Sequence, residues 1–243
     1  MPKIAEKCIK SWKKYCPDYE IKRWDESNLD INKYQFAKDA YEAKKFAFAS
    51  DVLRTDILYN EGGIYLDIDV ELLKPIDELL KWELFVGFET SNLLNPGLII
   101  GTMPKNEHLK NILDIYQNNV FDVDKCKELT ICKIYTNYFE NLGLQSNNTT
   151  QKINNYIFFA SEYFSPIDVI TNKKRITKNT YSIHWYNASW YTPKQKFLNR
   201  AKKVANFLTF GLAGRIYDKK KKWVNFNNCT CLQSRKIFIK MYW

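Results

Sequence analysis

The sequence holds little glycine and little proline, 8 and 7 in 243 residues. That excludes a collagen-like or a Gly/Pro-rich low-complexity chain. Histidine is scarcer still, with two. The six cysteines, at 8, 16, 126, 132, 229 and 231, nowhere show the C-x-x-C spacing of paired zinc ligands, which excludes a zinc ribbon or finger. No apolar run approaches the ~18 residues of a membrane span. Residues 1–15 read as a Lys-rich amphipathic helix with no apolar core, unlike a secretory signal. Reduced thiols and a cytoplasmic chain are therefore expected. What is present suits a globular body: 45% hydrophobic and 16% aromatic residues, enough for one domain with a terminal appendage. The net charge of +10 is local, because residues 194–222 hold ten Lys/Arg against one Asp and the remainder is nearly neutral.

Along the chain, Ile4, Cys8, Ile9 and Trp12 recur at helical spacing, and Cys16-Pro17 ends that helix. "YEIKRW" alternates as a strand. A long helix is expected from Gln35 to Tyr59 with a break at Ala49-Ser50, Ser50 being a good N-cap. Strands follow at 64–70, 84–89 and 97–101, then helices from Asn106 and over 127–142. "NLGLQSNNTTQK" reads as a polar loop, and "NYIFFAS" and "TYSIHW" as late strands. Strands alternating with helices predict an α/β fold with a largely parallel sheet.

The stretch "EGGIYLDIDV" (61–70) places two carboxylates in an apolar run. Read as a strand, it puts Tyr65, Asp67 and Asp69 on one face and Ile64, Leu66, Ile68 and Val70 on the other. Paired carboxylates at a strand end repel one another unless a cation lies between them. Mg²⁺ or Mn²⁺ resolves the conflict and is commonly shared with substrate phosphates. A bare D-x-D also fits a solvated strand end, so the surrounding residues must decide.

Those residues, "ASDVLRTDILYNEGGIYLDIDV" (49–70), resemble the signature of glycosyltransferase family 32, whose members carry a DXD sugar-binding region and are related to clostridial glucosylating toxins. "EKCIKSWKKYCPDYEIKRWDES" and "SIHWYNASW" extend the resemblance. It implies a GT-A-type fold and sugar transfer from a nucleotide-sugar donor, UDP-sugar favoured, to a glycan or lipid-linked acceptor with retention of configuration. Mn²⁺ or Mg²⁺ is the implied cofactor, and bacterial surface polysaccharide synthesis the implied setting. Metal ligands would be Asp69 and Asp67, completed by His184 and Ser189. Donor contacts would come from Ser50, Asp51, Arg54, Asp67, Asn95, Ser189 and Trp190, with Asp67, Asp69 and Arg54 carrying catalysis. Gly62 and Gly63 serve the turn into the strand, not a phosphate loop, since no helix starts there.

Members of the family open with a strand of the type "IPKIIH", and none precedes the first helix here. A nucleotide sheet without its first strand is thus expected. The chain divides into a transferase body (1–193), a basic amphipathic helical segment (194–222) and a tail without counterpart (223–243). The basic segment mixes Phe197, Val204, Phe207, Leu208 and Phe210 with lysines, as an in-plane helix on the inner face of the cytoplasmic membrane would; a plain packed helix is the first alternative and a nucleic-acid patch the last. Two rivals to a transferase are a haloacid-dehalogenase-like phosphatase, which also carries D-x-D, and a non-catalytic remnant that binds membrane or partner proteins. The first lacks its downstream Ser/Thr and acidic pair in "DIDVELLKP".

Overall fold

The computed structural model describes residues 2–89, 92–167, 173–186 and 238–242. In chain order the elements are α1 (Lys3–Tyr15), β1 (Glu20–Trp24), α2 (Gln35–Glu42), α3 (Phe46–Glu61), β2 (Gly63–Leu66), β3 (Val70–Leu72), β4 (Leu84–Gly87), β5 (Ile100–Thr102), α4 (Glu107–Gln117), α5 (Ile131–Glu140), β6 (Gln151–Ile153), β7 (Tyr156–Phe159), β8 (Ser182–His184) and β9 (Phe238–Tyr242). The expected α/β class holds, in a mixed sheet. Among the described residues no helix is long and apolar enough to cross a membrane.

The sheet is not largely parallel. Its order is β1-β9-β2-β5-β4-β7-β6, and among the described strands only the β4–β7 pair is parallel. Helices cover both faces all the same, so the inner strands are apolar throughout and resemble parallel-sheet strands in sequence. On one face Tyr65, Leu84, Val86, Ile100 and Phe158 pack against α2 to α5. On the other, Ile64, Leu66, Phe85, Ile157 and Phe159 pack with Cys8 and Trp12 of α1 and with β3. The Trp12 indole N–H donates to the Val70 carbonyl at 2.8 Å, which pins α1 to β3. Burial there, reinforced by the charges of Asp69 and Glu71, pushes the Cys8 thiol up to about 12 and leaves it an inert core group.

Three local expectations change. The helical break falls at residues 43–45, not at Ala49-Ser50, because Lys44 adopts a φ of 58°. The Lys44 and Lys45 amides then bond back to Tyr41 and Ala40, closing α2. Ser50 is consequently interior to α3 and buried. At the end of the expected polar loop, Gln151–Ile153 forms β6 by pairing with β7. The strand expected over 64–70 is two strands: β2 ends at Leu66, the chain turns with the Val70 amide bonded to the Asp67 carbonyl (3.0 Å), and β3 pairs with β8 in a separate two-stranded sheet. Ile68 therefore leaves the core face it was expected to share.

The place between β1 and β2 is filled by β9, antiparallel to both. Lys240 stands opposite Lys22 on one side and Tyr65 on the other. Among the described strands β1 pairs with β9 alone, so five residues from the far end of the chain tie β1 into the sheet. Lys240→Pro removes an inner-strand N–H and is expected to lower unfolding stability by about 3 kcal/mol. Chemical denaturation measures it, and an unchanged midpoint would exclude β9 from the sheet.

Candidate functional site

Each chemical group is positioned by a different piece of local structure. In α3, Ser50, Asp51 and Arg54 all lie inside the protein, and Arg54 is only 2% exposed. Spacing of three and four residues puts them on one helical face. The Arg54 guanidinium pairs with Asp51 Oδ1 at 3.0 Å. It donates from Nη2 to Ser50 Oγ at 3.0 Å and from Nη1 to Asp67 Oδ1 at 3.3 Å. Its carbon lies 4.6 Å from the centre of the Tyr65 ring. A buried guanidinium needs this many partners, since an unpaired one would cost several kcal/mol. α3 is thereby locked to the end of β2.

Asp67 and Asp69 converge, but not through strand alternation. They occupy the turn between β2 and β3, which folds both carboxylates toward β8. The register of that two-stranded sheet sets His184 opposite Val70, and the Trp185 amide bonds to the Asp69 carbonyl at 3.0 Å. His184 Nε2 then shares a hydrogen bond of 3.0 Å with Asp69 Oδ1 and lies 3.9 Å from Asp67 Oδ2. Asp69 and His184 are buried, and Asp67 is half-buried. Burial of the imidazole pulls its pKa down; the charge and hydrogen bond of Asp69, with Asp67 and Glu89 behind, outweigh burial and hold it above the ordinary value.

One ligand atom from each of Asp67, Asp69 and His184 falls within a cluster 4.8 Å across. Two carboxylates and one imidazole are a donor set for Mn²⁺, and a poorer one for Mg²⁺, which prefers oxygen. His184 Nδ1, by contrast, is buried without a hydrogen-bond partner among the described residues. The ring is therefore oriented from its Nε2 side, and by Tyr186, whose ring meets it edge-on at 4.1 Å.

Of the residues expected from the sequence, Ser50, Asp51, Arg54, Asp67, Asp69 and His184 form one connected group. Asn95 borders it through the turn that carries Gly97, but both ends of its amide are engaged locally, with Glu89 and with the Gly97 amide. Ser189 and Trp190, like the basic segment 194–222, lie outside the described residues.

The sequence reading set Tyr65 on the face of the two carboxylates without giving it a role, and passed over Gly97, Glu89 and Glu71. Tyr65 donates to Asp67 Oδ1 at 2.7 Å. Its signal was present, since it lies two positions before Asp67 in a strand. Glu71 accepts from Lys7 at 2.7 Å and from the Trp185 indole at 2.8 Å, fastening the residue after His184 to β3 and α1. Nothing local in the sequence marks Glu71 or Glu89.

Residues 2–86 match the family described as glycosyltransferase sugar-binding region containing DXD motif. Glucan organizing enzyme 1 of Cryptococcus neoformans var. grubii is 40% identical over 72 residues, 28% of this chain and 20% of that protein. Inositol phosphoceramide mannosyltransferase 3 of Schizosaccharomyces pombe is 38% identical over 74 residues, 29% of this chain and 21% of that protein. The matched region thus spans about a fifth of each curated relative. A solved structure titled PaToxG Glycosyltransferase aligns at a TM-score of 0.38 and 24% identity, covering 48% of this chain and 44% of that one, a likeness too distant to support any argument.

Proposed function

We propose that this chain, whose residues 2–86 match the DXD-containing glycosyltransferase sugar-binding region, transfers a sugar from a nucleotide-sugar donor to a glycan or lipid-linked acceptor, with retention of configuration and with Mn²⁺ or Mg²⁺ as cofactor. The observation that carries the reading is the convergence of Asp67 and Asp69, from the turn between β2 and β3, with His184 of β8. Two carboxylates and an imidazole 115 positions further along the chain than Asp69 are costly to assemble without a ligand to bind.

Asp69 and His184 would hold the ion together with Asp67. Once bound, a divalent ion offsets the charge that develops on the departing diphosphate. Arg54, braced by Asp51, is a fixed cation beside Asp67 and suits a phosphate or a sugar hydroxyl. Buried Asp51 offers an acceptor for sugar hydroxyls. Asp67 and Asp69 are committed to binding, so no two-carboxylate hydrolase scheme applies. Ser189 and Trp190 belong to the proposal as residues closing over the donor.

The donor is a UDP- or GDP-sugar. UDP follows from the family resemblance, whereas the mannosyltransferase name among the relatives keeps GDP-mannose in view. That relative is also named for a phosphoceramide lipid, which supports a lipid-linked acceptor, and residues 194–222 supply the proposed membrane contact. Placement on the inner face of the cytoplasmic membrane, in bacterial surface polysaccharide synthesis, rests on the family resemblance; both relatives named above are fungal.

The test is a panel of UDP- and GDP-sugars assayed for slow donor hydrolysis with Mn²⁺ and with EDTA. Release of nucleoside diphosphate from one donor, abolished by EDTA, is expected. Metal-independent release, or none with any donor alongside no calorimetric heat on adding nucleotide and Mn²⁺, refutes the reading.

A further inference from the structure

Asp67 is held on both sides, and one of those sides is a glycine. Its Oδ1 accepts from Tyr65 and from Arg54. Its Oδ2 is thereby turned the other way, toward His184 Nε2 at 3.9 Å. On that side it rests against Gly97. A Cβ built on Gly97 would lie 2.7 Å from Asp67 Oδ2 and 3.2 Å from Asp67 Cγ. The Asp67 amide also donates to the Gly97 carbonyl at 3.1 Å.

Gly97 sits in a turn that local sequence builds well. In Asn95-Pro96-Gly97-Leu98 the Leu98 amide bonds to the Asn95 carbonyl at 3.0 Å, with proline in the position that favours its fixed φ. The Asn95 side-chain carbonyl accepts from the Gly97 amide at 2.8 Å, and its amide donates to Glu89 Oε2 at 3.0 Å. The Asn95 backbone amide bonds to Gly87 at the end of β4 at 2.9 Å. A continuous strut therefore runs from β4 and Glu89 through Asn95 and Gly97 to Asp67.

Glycine is not required here by the backbone, since Gly97 is absent from the left-handed φ region in which Gly62, Gly63 and Gly143 lie. The backbone admits alanine, although its Cβ would also lie 3.0 Å from Asn95 Oδ1. What it lacks is room. The end of an aspartate ordinarily swings away from such an intrusion, but Oδ1 of Asp67 is tied to a buried guanidinium and a buried phenol. Swinging Oδ2 aside breaks those bonds.

We propose that Gly97 is a positioning residue. Its bare Cα, braced through Asn95 and Glu89, selects the rotamer in which Asp67 offers Oδ2 to the divalent cation and the donor. The proposal rests on the metal-dependent reading above.

Gly97→Ala tests it in the full-length protein, with Mn²⁺ as the probe. Mn²⁺ affinity is read in the presence of UDP from the electron paramagnetic resonance signal of the free ion, beside a thermal melt without metal. The expected result is an unchanged melt with Mn²⁺ affinity lowered about tenfold or more, the scale of losing an orienting partner of a metal ligand. Affinity within about twofold of wild type, with the melt unchanged, overturns the proposal. If Gly97→Ala fails to fold, Asn95→Ala replaces it: this variant loosens the strut and inserts nothing, and it must still weaken Mn²⁺ binding. Wild-type affinity in that variant overturns the proposal equally. A wild-type protein that binds no Mn²⁺ overturns the metal reading itself, an outcome separate from a wild type that binds and a variant that binds as well.

Discussion

Asp69→Asn is expected to abolish metal-dependent turnover, a loss on the order of 10³-fold, while the fold survives. The substitution keeps the shape of the side chain and an oxygen within reach of His184 Nε2, now 3.0 Å from Asp69 Oδ1. It removes the charge. Two consequences follow for a cluster only 4.8 Å across. The proposed Mn²⁺ site loses the more buried of its two carboxylates, because the Asp69 side chain is 8% exposed and that of Asp67 20%. His184 loses its main support against burial, so its pKa falls, with Asp67 and Glu89 left to favour the charged ring. Donor hydrolysis with Mn²⁺, a calorimetric Mn²⁺ titration and a thermal melt together separate loss of chemistry from loss of structure. Near-normal turnover by the variant would remove Asp69 from the metal assignment.

Arg54→Ala produces the second large effect, and on stability as well as on binding. The guanidinium is 2% exposed and pairs with two carboxylates, Asp51 and Asp67. Deleting it leaves two negative groups facing each other in a site with little water. Breaking a buried ion pair in this one-sided way costs about 3–5 kcal/mol. For a chain of this size that corresponds to a melting temperature lower by roughly 10 °C. Asp67, freed on its Oδ1 side, also loses the orientation that Tyr65 alone cannot enforce. Arg54→Lys divides the two roles. An ammonium retains the charge and most of the stability, yet it cannot reach Ser50, Asp51 and Asp67 together as the planar fork does. The lysine variant should melt near wild type and bind UDP with Mn²⁺ far more weakly. A lysine variant that matches wild type in both measurements would reduce Arg54 to a generic positive charge. An alanine variant that melts as wild type would mean the carboxylates are not held apart by Arg54.

Part of the site is legible because it is local. Ser50, Asp51 and Arg54 share a helical face whatever else the chain does, since their spacing matches the helical repeat. Two aspartates in an apolar run after a double glycine announce themselves by the cost of burying them. The N-cap of α4 at Asn106 and the turn at Asn95-Pro96-Gly97 are equally local, the first shown by the bond from the His108 amide to Asn106 Oδ1 at 3.0 Å. The strand reading of residues 64–70 brought the carboxylates together for a reason the structure replaces. Alternation would have placed them along one strand. The chain instead turns after Leu66, and pairing with β8 supplies the convergence.

The sequence by itself determined which residue types meet: a helix bearing Asp51 and Arg54, a D-x-D beside it, and the apolar runs that become inner strands. Those are consequences of periodicity and of the cost of burying charge, both written within a few residues of one another. Tertiary structure alone decided the rest. That β4 and β7 run parallel while their neighbours do not, that β9 enters between β1 and β2, that His184 arrives from 115 positions away, and that Gly97 leaves room for one oxygen are matters of long-range pairing and packing. Backbone hydrogen bonds between strands are nearly indifferent to side-chain identity, so strand order leaves little trace in the amino acids that carry it.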